Sequence, residues 1–168
     1  RLREAGEAAD GALKAFAEWS RLLPDDPLPR LFVLEMALSD DSEAATKLVE
    51  DSLKVLESVG GPYARIGRAT AMLRESASDR AVRDSADKQA AVEAAARRER
   101  RLAEADRLIE KVEAEAPQLR YGHLLRAALM RQRGDLPGAA KAYEKALKTE
   151  GGQAILPRLV ALYNEMGE

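Results

Sequence analysis

Between Leu119 and Met130 the large apolar residues are Leu119, Leu124, Leu125, Leu129 and Met130, with small Ala127 and Ala128 among them. That spacing is close to the ~3.6 residues of a helical turn and far from the alternation of a strand. It predicts one helix with a buried stripe. Gly134 supplies a left-handed stop, Asp135 a cap for the next helix, and Pro137 suits a first turn that does not need its missing N–H. The second helix carries Ala139, Ala142, Tyr143, Ala146 and Leu147 on one side. Alanines there allow two helices to approach toward the short end of the ~8–10 Å interaxial range, with Tyr143 filling the space beside them.

The same pattern recurs along the chain, with gaps. Leu2 reads as the tail of one helix. Ala12, Phe16, Trp19, Leu22 and Leu23 form the next stripe, ended by Pro24-Asp25-Asp26-Pro27. Leu28 to Leu38 is predicted as a helix with Leu31, Leu34 and Leu38 on its stripe and Phe32, Val33 and Met36 widening it. Asp40-Asp41-Ser42 is the break, with Glu43 in the following first turn. Ala45, Leu48, Val49, Leu53 and Leu56 then lead to a stop at Gly60-Gly61. Pro62 opens a helix with Tyr63, Ile66 and Gly67, where Gly67 is expected because a neighbouring helix passes close. Leu102, Ala105, Leu108, Ile109 and Val112 form its partner, closed by Pro117. Leu156, Leu159 and Tyr163, followed by Gly167-Glu168, make one more helix. Its missing partner would leave Leu159, Leu162 and Tyr163 partly uncovered, so a piece of a longer array is expected.

The Gly134-Asp135 break with Ala139, Tyr143 and Ala146 resembles the tetratricopeptide repeat. Tyr63, Ile66 and Gly67 resemble the large, aliphatic and small positions of that repeat's first helix. The departures are His123, where the family has a large aromatic, and Gly151-Gly152 in place of a closing proline. The resemblance implies an all-α, right-handed superhelix of antiparallel helix pairs, an α-α solenoid, over residues 1–168 as one helical-repeat domain. Its parts are an incomplete pair at 1–27, a repeat at 28–61, an enlarged repeat at 62–117, a repeat at 118–152 and a truncated one at 153–168. The stops at Gly60 and Pro117 lie 57 residues apart, about 23 more than a 34-residue period. An insertion is therefore expected at about 76–100. It holds no Pro or Gly and is rich in helix formers, so the second helix is expected to begin near Ser85 and run to Glu115, about 46 Å at ~1.5 Å per residue. Ala86, Ala90 and Ala94 would make a seam covered by Ala77, Ala81 and Val82; the alternative is a loop between Ser76 and Asp87.

Composition narrows the chemistry. The chain has 168 residues, 46% hydrophobic but only 4% aromatic, which suits a thin Ala/Leu core between helices. A formal charge of -2 argues against a nucleic-acid or membrane surface on bulk charge. With no Cys and one His, thiolate chemistry is excluded, and no metal or cofactor is expected. His123 has no acidic neighbour within a helical turn and is assigned to packing or the surface. No nucleophile and base assemble, so an enzyme is not expected. The run Arg97-Arg98-Glu99-Arg100-Arg101 reads as the water-facing side of a long helix paired with Glu93, Glu99 and Glu104, favoured over the alternative of a grip on an acidic partner or a phosphate backbone because no aromatics are interleaved. The glycine pairs at 60–61 and 151–152 lack the Lys-Ser/Thr of a phosphate loop.

The resemblance implies a protein–protein interaction scaffold whose concave face takes a peptide or protein. Helix phase places Leu31 and Glu35, then Ala64, Arg65 and Arg68, then Tyr121, Leu124 and Arg131, then Arg158 and Asn164 on that face. It leans basic, which suits an acidic or carboxylate-ended peptide. The family's chaperone-tail clamp is disfavoured, because its Asn positions are not matched. Alternatives are a structural or self-associating segment, with a homodimer through uncapped terminal helices, and an RNA-binding array, which the overall charge disfavours. No membrane partner is expected. The compartment stays open, with the cytoplasm as default and the periplasm compatible.

Overall fold

The computed structural model describes residues 11, 14–15, 18–37, 43–83 and 88–167, and these are helical apart from short turns, with no strand among them. They fall into two compact units, 1–67 and 68–168. Among the described residues no helix is long and apolar enough to cross a membrane.

In the first unit a helical stretch over 18–22 leads through a turn to helix α1, Pro27–Ala37, and helix α2, Glu43–Val59. Asp26 starts α1: its Oδ1 accepts from the Leu28 N–H at 2.9 Å, while Pro27 removes an N–H that would otherwise lack a partner. Arg30 donates to the Ser20 carbonyl at 3.1 Å and so fastens the end of the preceding helix to α1. Trp19 stands where the pattern has its second alanine. Its ring lies 5.8 Å from that of Phe32 at 39°, so the indole rests beside α1. Leu31, Val33 and Leu34 of α1 and Val49 and Leu56 of α2 are buried, as is Ser52, whose hydroxyl donates to the Leu48 carbonyl.

Two left-handed glycines, Gly60 and Gly61, turn the chain into helix α3, Gly61–Arg83. A Cβ on Gly67 would stand 3.2 Å from Leu53 Cδ2, so α2 does pass close to this glycine as its position in the pattern predicts. Leu2, Ala12, Phe16, Leu38 and the break at 40–42 lie outside the described residues, as do the side chains of Met36, Glu43 and Ala45.

The second unit holds the rest of α3 and helices α4, Lys88–Glu115, α5, Arg120–Arg133, and α6, Leu136–Leu147. A 3-10 turn at Gly152–Ile155 then leads to helix α7, Leu156–Met166. The second helix of the enlarged repeat runs to Glu115 as expected, while its expected start near Ser85 lies outside the described residues. Both arms are lengthened, α3 running to Arg83 and α4 starting at Lys88, and no loop occupies 76–83. Of the expected alanine seam, Ala94 is fully buried, but Ala77 is exposed; Ser76 and Asp79 are the buried residues of α3 there. Ala86 and the side chains of Ala81 and Val82 lie outside the described residues.

Leu102, Ala105, Leu108, Ile109 and Val112 form the buried side of α4 as the spacing predicts. Among the described residues the α5–α6 pair is the most closely knit. Gly134 caps α5 in the left-handed region at φ 81°, and the Asp135 side chain accepts from the Gly138 N–H at 2.8 Å to start α6. Ala139, Tyr143 and Ala146 are buried. Gly122 of α5 lies against α4, where an added Cβ would be 3.1 Å from Val112 Cγ1. In α7, Leu159 and Leu162 are buried, contrary to the expectation that they lose cover; Leu156 and Val160 are its exposed large apolar residues. Leu162 and Ile155 are both fully buried, and Tyr163 donates to Glu144 Oε1 of α6 at 2.6 Å.

Candidate interaction groove

The C-terminal end of α5, the start of α6, the middle of α4 and the end of α7 enclose a groove of about 530 Å³. Arg98, Glu99 and Leu102 line it from α4, Arg131, Gln132 and Arg133 from α5, Leu136 from α6 and Glu165 from α7. The left-handed turn at Gly134 ends α5 there, and the two arginines of its last turn sit where the helix dipole favours positive charge. Arg131 donates to Glu165 at 2.8 Å. Arg133 donates to Asp106 Oδ2 at 2.6 Å. Arg98 donates to the Gln132 carbonyl, one of the last carbonyls of α5 and so without a partner inside the helix. Arg131 and Arg133 are thus each paired with a carboxylate, and Glu99 adds a further acidic group to the lining.

From Arg133 an ion network continues along α4 and α5. Arg126 donates to Asp106 and, at 2.9 Å, to Glu113, and it is only 16% exposed. His123 completes the network, with Nδ1 3.2 Å from Glu113 Oε1 and Nε2 3.1 Å from the Pro117 carbonyl. Burial by itself would push the Asp106 carboxyl up, but hydrogen bonds from Arg133 and Arg126 outweigh it and hold the group below the usual carboxylate range. Burial likewise works against the charge on Arg126, and its bonds to Glu113 and Asp106 more than compensate, raising its pKa.

The arginine run of α4 is not a water-facing side paired with Glu93, Glu99 and Glu104. Arg97 and Arg101 reach α3, where both meet Asp79 and Arg101 also meets Glu75 at 2.8 Å. Arg98 reaches α5, and only Arg100 stays on its own helix, donating to the Ala96 carbonyl. The physical reason is that α4 is flanked by two helices, and long guanidinium side chains span the gap to each. Gln132 adds a polar tie: its amide donates to the Leu73 carbonyl at 2.8 Å, and Ser76 Oγ lies against its Oε1.

Of the residues assigned to a concave face, Arg131 lines the groove. Leu31, Leu124 and Tyr121 are buried, so they serve packing and present little to a partner. The Tyr121 ring lies under Arg120, whose Cζ stands 4.9 Å from its centroid. Glu35, Ala64 and Arg65 in the first unit and Arg158 in the second are half-buried, while Arg68 and Asn164 are exposed. Arg133 and Glu165 were not singled out from the sequence, and Arg98 was named only as part of the arginine run. They converge from three helices, and the one local signal was the pair of arginines just before Gly134. Among the described residues no group of carboxylates and imidazoles is arranged to hold a metal ion. No protein-family model, curated protein or solved structure matches the chain.

Proposed function

We propose that this chain is a protein–protein interaction module, a stack of antiparallel helix pairs of the tetratricopeptide kind that binds a protein or peptide segment. The observation carrying this reading is a recurrence. Helices α5 and α7 end 33 residues apart in the same left-handed glycine cap, at Gly134 and Gly167, with α6 between them. A repeating unit of helices that buries small residues generates surface by stacking, and such surfaces serve as binding faces without chemistry of their own. This is a class reached by fold analogy, and the groove at Arg131 gives it a place to test. Affinity capture with the chain and with Arg131→Glu/Arg133→Glu, read by quantitative mass spectrometry, is the experiment. Proteins retained by the native chain and lost by the double variant support the reading. Identical recovery, or none above bare matrix, overturns it.

A second reading is self-association through α7. It is favoured by Leu156 and Val160, 45% and 54% exposed and one turn apart on that helix. Light scattering of the native chain and of Val160→Glu across a concentration series tests it. A mass that stays monomeric throughout removes it.

A further inference from the structure

We infer that the open face of α7 around Leu156 and Val160 is a docking site for one helix supplied by another protein, a helix whose contact stripe is uncharged and alanine-rich like that of α6. This rests on the recurrence of α5 in α7 noted above and not on the groove.

Helices α5 and α7 correspond residue by residue when shifted by 33. Gly134 and Gly167 cap them alike, their N–H groups donating to the Arg131 and Asn164 carbonyls. Leu129 and its counterpart Leu162 are both fully buried. Gln132 donates back to the Leu73 carbonyl of α3, and its counterpart Glu165 accepts from Arg131 of α5, so each reaches the first helix of the preceding pair. The same shift sets Val160 in the place of Ala127 and Leu156 in the place of His123.

The sides of α5 are assigned by what each side chain meets. Arg126 and Arg133 reach α4, Gln132 reaches α3 and Arg131 reaches α7. At about 100° per residue, Ala127 lies ~100° round from Arg126, ~40° from Arg131 and ~140° from Gln132. That is the side left for α6, the helix packed most extensively on α5 among the described residues, and Ala127 is fully buried. On α7 the matching Val160 is 54% exposed, and Leu156 one turn before it is 45% exposed. The side that α6 covers on α5 is therefore open on α7.

The character of the covering helix follows from α6, which buries Ala139, Ala140, Ala142, Tyr143 and Ala146, none of them charged. Val160 is larger than Ala127, so the helix laid on it needs side chains at least as small. The exposed residues along this side of α7 are Leu156, Pro157, Val160, Ala161 and Asn164, again without charge. A charged stripe would lose its water there and gain no partner. A second copy of the chain does not supply the stripe, because its own Ala139, Ala142 and Ala146 are already buried.

The test uses a labelled peptide with the sequence of residues 135–148, held helical by a hydrocarbon link between positions 141 and 145, both exposed on α6. The link is needed because so short a helix is marginal in water. A second linked peptide carries Ala139→Glu and Ala146→Glu. The proteins are the native chain, Val160→Glu, Leu156→Glu and Gln118→Glu, which places the same charge in an exposed turn, each checked by circular dichroism for unchanged helicity. Fluorescence anisotropy reads affinity, and amide shifts in nitrogen-15 correlation spectra read location. The native chain and Gln118→Glu bind the first peptide alike, with shifts centred on 156–164. Val160→Glu and Leu156→Glu each weaken it by about tenfold or more, the scale of one large apolar side chain left in water. The second peptide binds the native chain at least about tenfold more weakly than the first. No binding of the first peptide, binding undiminished by Val160→Glu, equal binding of the second peptide, or shifts centred away from α7 each overturn the inference. Light scattering reads the other occupant. A native chain that is dimeric, that Val160→Glu makes monomeric and that the peptide does not dissociate carries a second copy on this face, which also overturns it. The capture experiment with Arg131→Glu/Arg133→Glu reads the groove alone, so the interaction reading and this inference fail separately.

Discussion

Asp79 on α3 and Arg101 on α4 meet across a long hairpin, with the Asp79 side chain only 8% exposed and that of Arg101 31%. Arg97 also approaches the same carboxylate, at 3.3 Å. A buried carboxylate is tolerated because cations and hydrogen bonds replace the water it has lost. Asp79→Asn keeps the shape and removes the charge. Because the arginines are half exposed and regain water, the expected loss is about 1–3 kcal/mol, below the ~3–5 kcal/mol of a fully enclosed pair. Urea unfolding of Asp79→Asn, Arg101→Met and the double variant would show the two single losses failing to add. Additive losses would mean that the two residues act separately.

The ion network between α4 and α5 sets a dependence on acid. Asp106 in the folded chain gives up its proton at a lower pH than in the unfolded chain, held by Arg133 and Arg126 against its burial. The unfolded state therefore takes up the proton first as pH falls. The stabilisation from this group is complete above the unfolded value of about 3.9 and is lost as pH drops through the lower folded value. Urea midpoints between pH 5 and pH 2 should fall more steeply for the native chain than for Asp106→Asn, which has no such proton to take up. Parallel curves would show that Asp106 is not a source of the acid sensitivity.

Gly152 is buried at the start of the 3-10 turn before α7, and a Cβ built on it would collide with the backbone carbonyl oxygens of Leu147 and Ala146. Backbone cannot swing aside as a side chain can. Gly152→Ala should cost about 1–3 kcal/mol, the usual range for forcing an extra carbon into a closed site. Gly134→Ala meets open space but must hold φ at 81°, so its cost should be about 1–2 kcal/mol from backbone strain alone. Thermal melts of the two variants, with hydrogen exchange across 147–156, separate the mechanisms. Loosening confined to that segment is expected for Gly152→Ala and not for Gly134→Ala.

Local signals account for what the sequence disclosed. Gly134, Asp135, Pro137 and the small residues of α6 act within a few positions of one another, and their caps and burial follow from spacing alone. The hairpin of α3 and α4 was harder to divide, because 76–100 has neither Gly nor Pro to mark a turn and helix formers suit either arm. Side chains that bridge helices left no mark at all. His123 faces Glu113 ten residues back, Arg126 faces Asp106 twenty back, and Arg131 faces Glu165 thirty-four on. Each depends on which faces the turns bring together. Of the residues assigned to a binding face, the groove was accordingly legible at Arg131 alone, with Arg98 and Glu99 named only within the arginine run.

The helix caps and the small residues of α6 can be weighed against each other. Asp135 accepts from the Gly138 N–H at 2.8 Å, and Asp135→Ala should cost about 1 kcal/mol, seen as faster hydrogen exchange in the first turn of α6. Ala139, one turn in, is fully buried in the pattern position that lets α5 and α6 close on each other. Ala139→Leu adds three carbons to that closed space, and overpacking should cost about 1–3 kcal/mol or more while the chain stays helical. Lys141→Leu, at an exposed position of the same helix, controls for the change in propensity and should lie within about 0.5 kcal/mol of the native chain. If Ala139→Leu is as stable as Lys141→Leu, small side chains are not what sets the approach of these helices, and the stacking on which the interaction reading depends loses its physical basis.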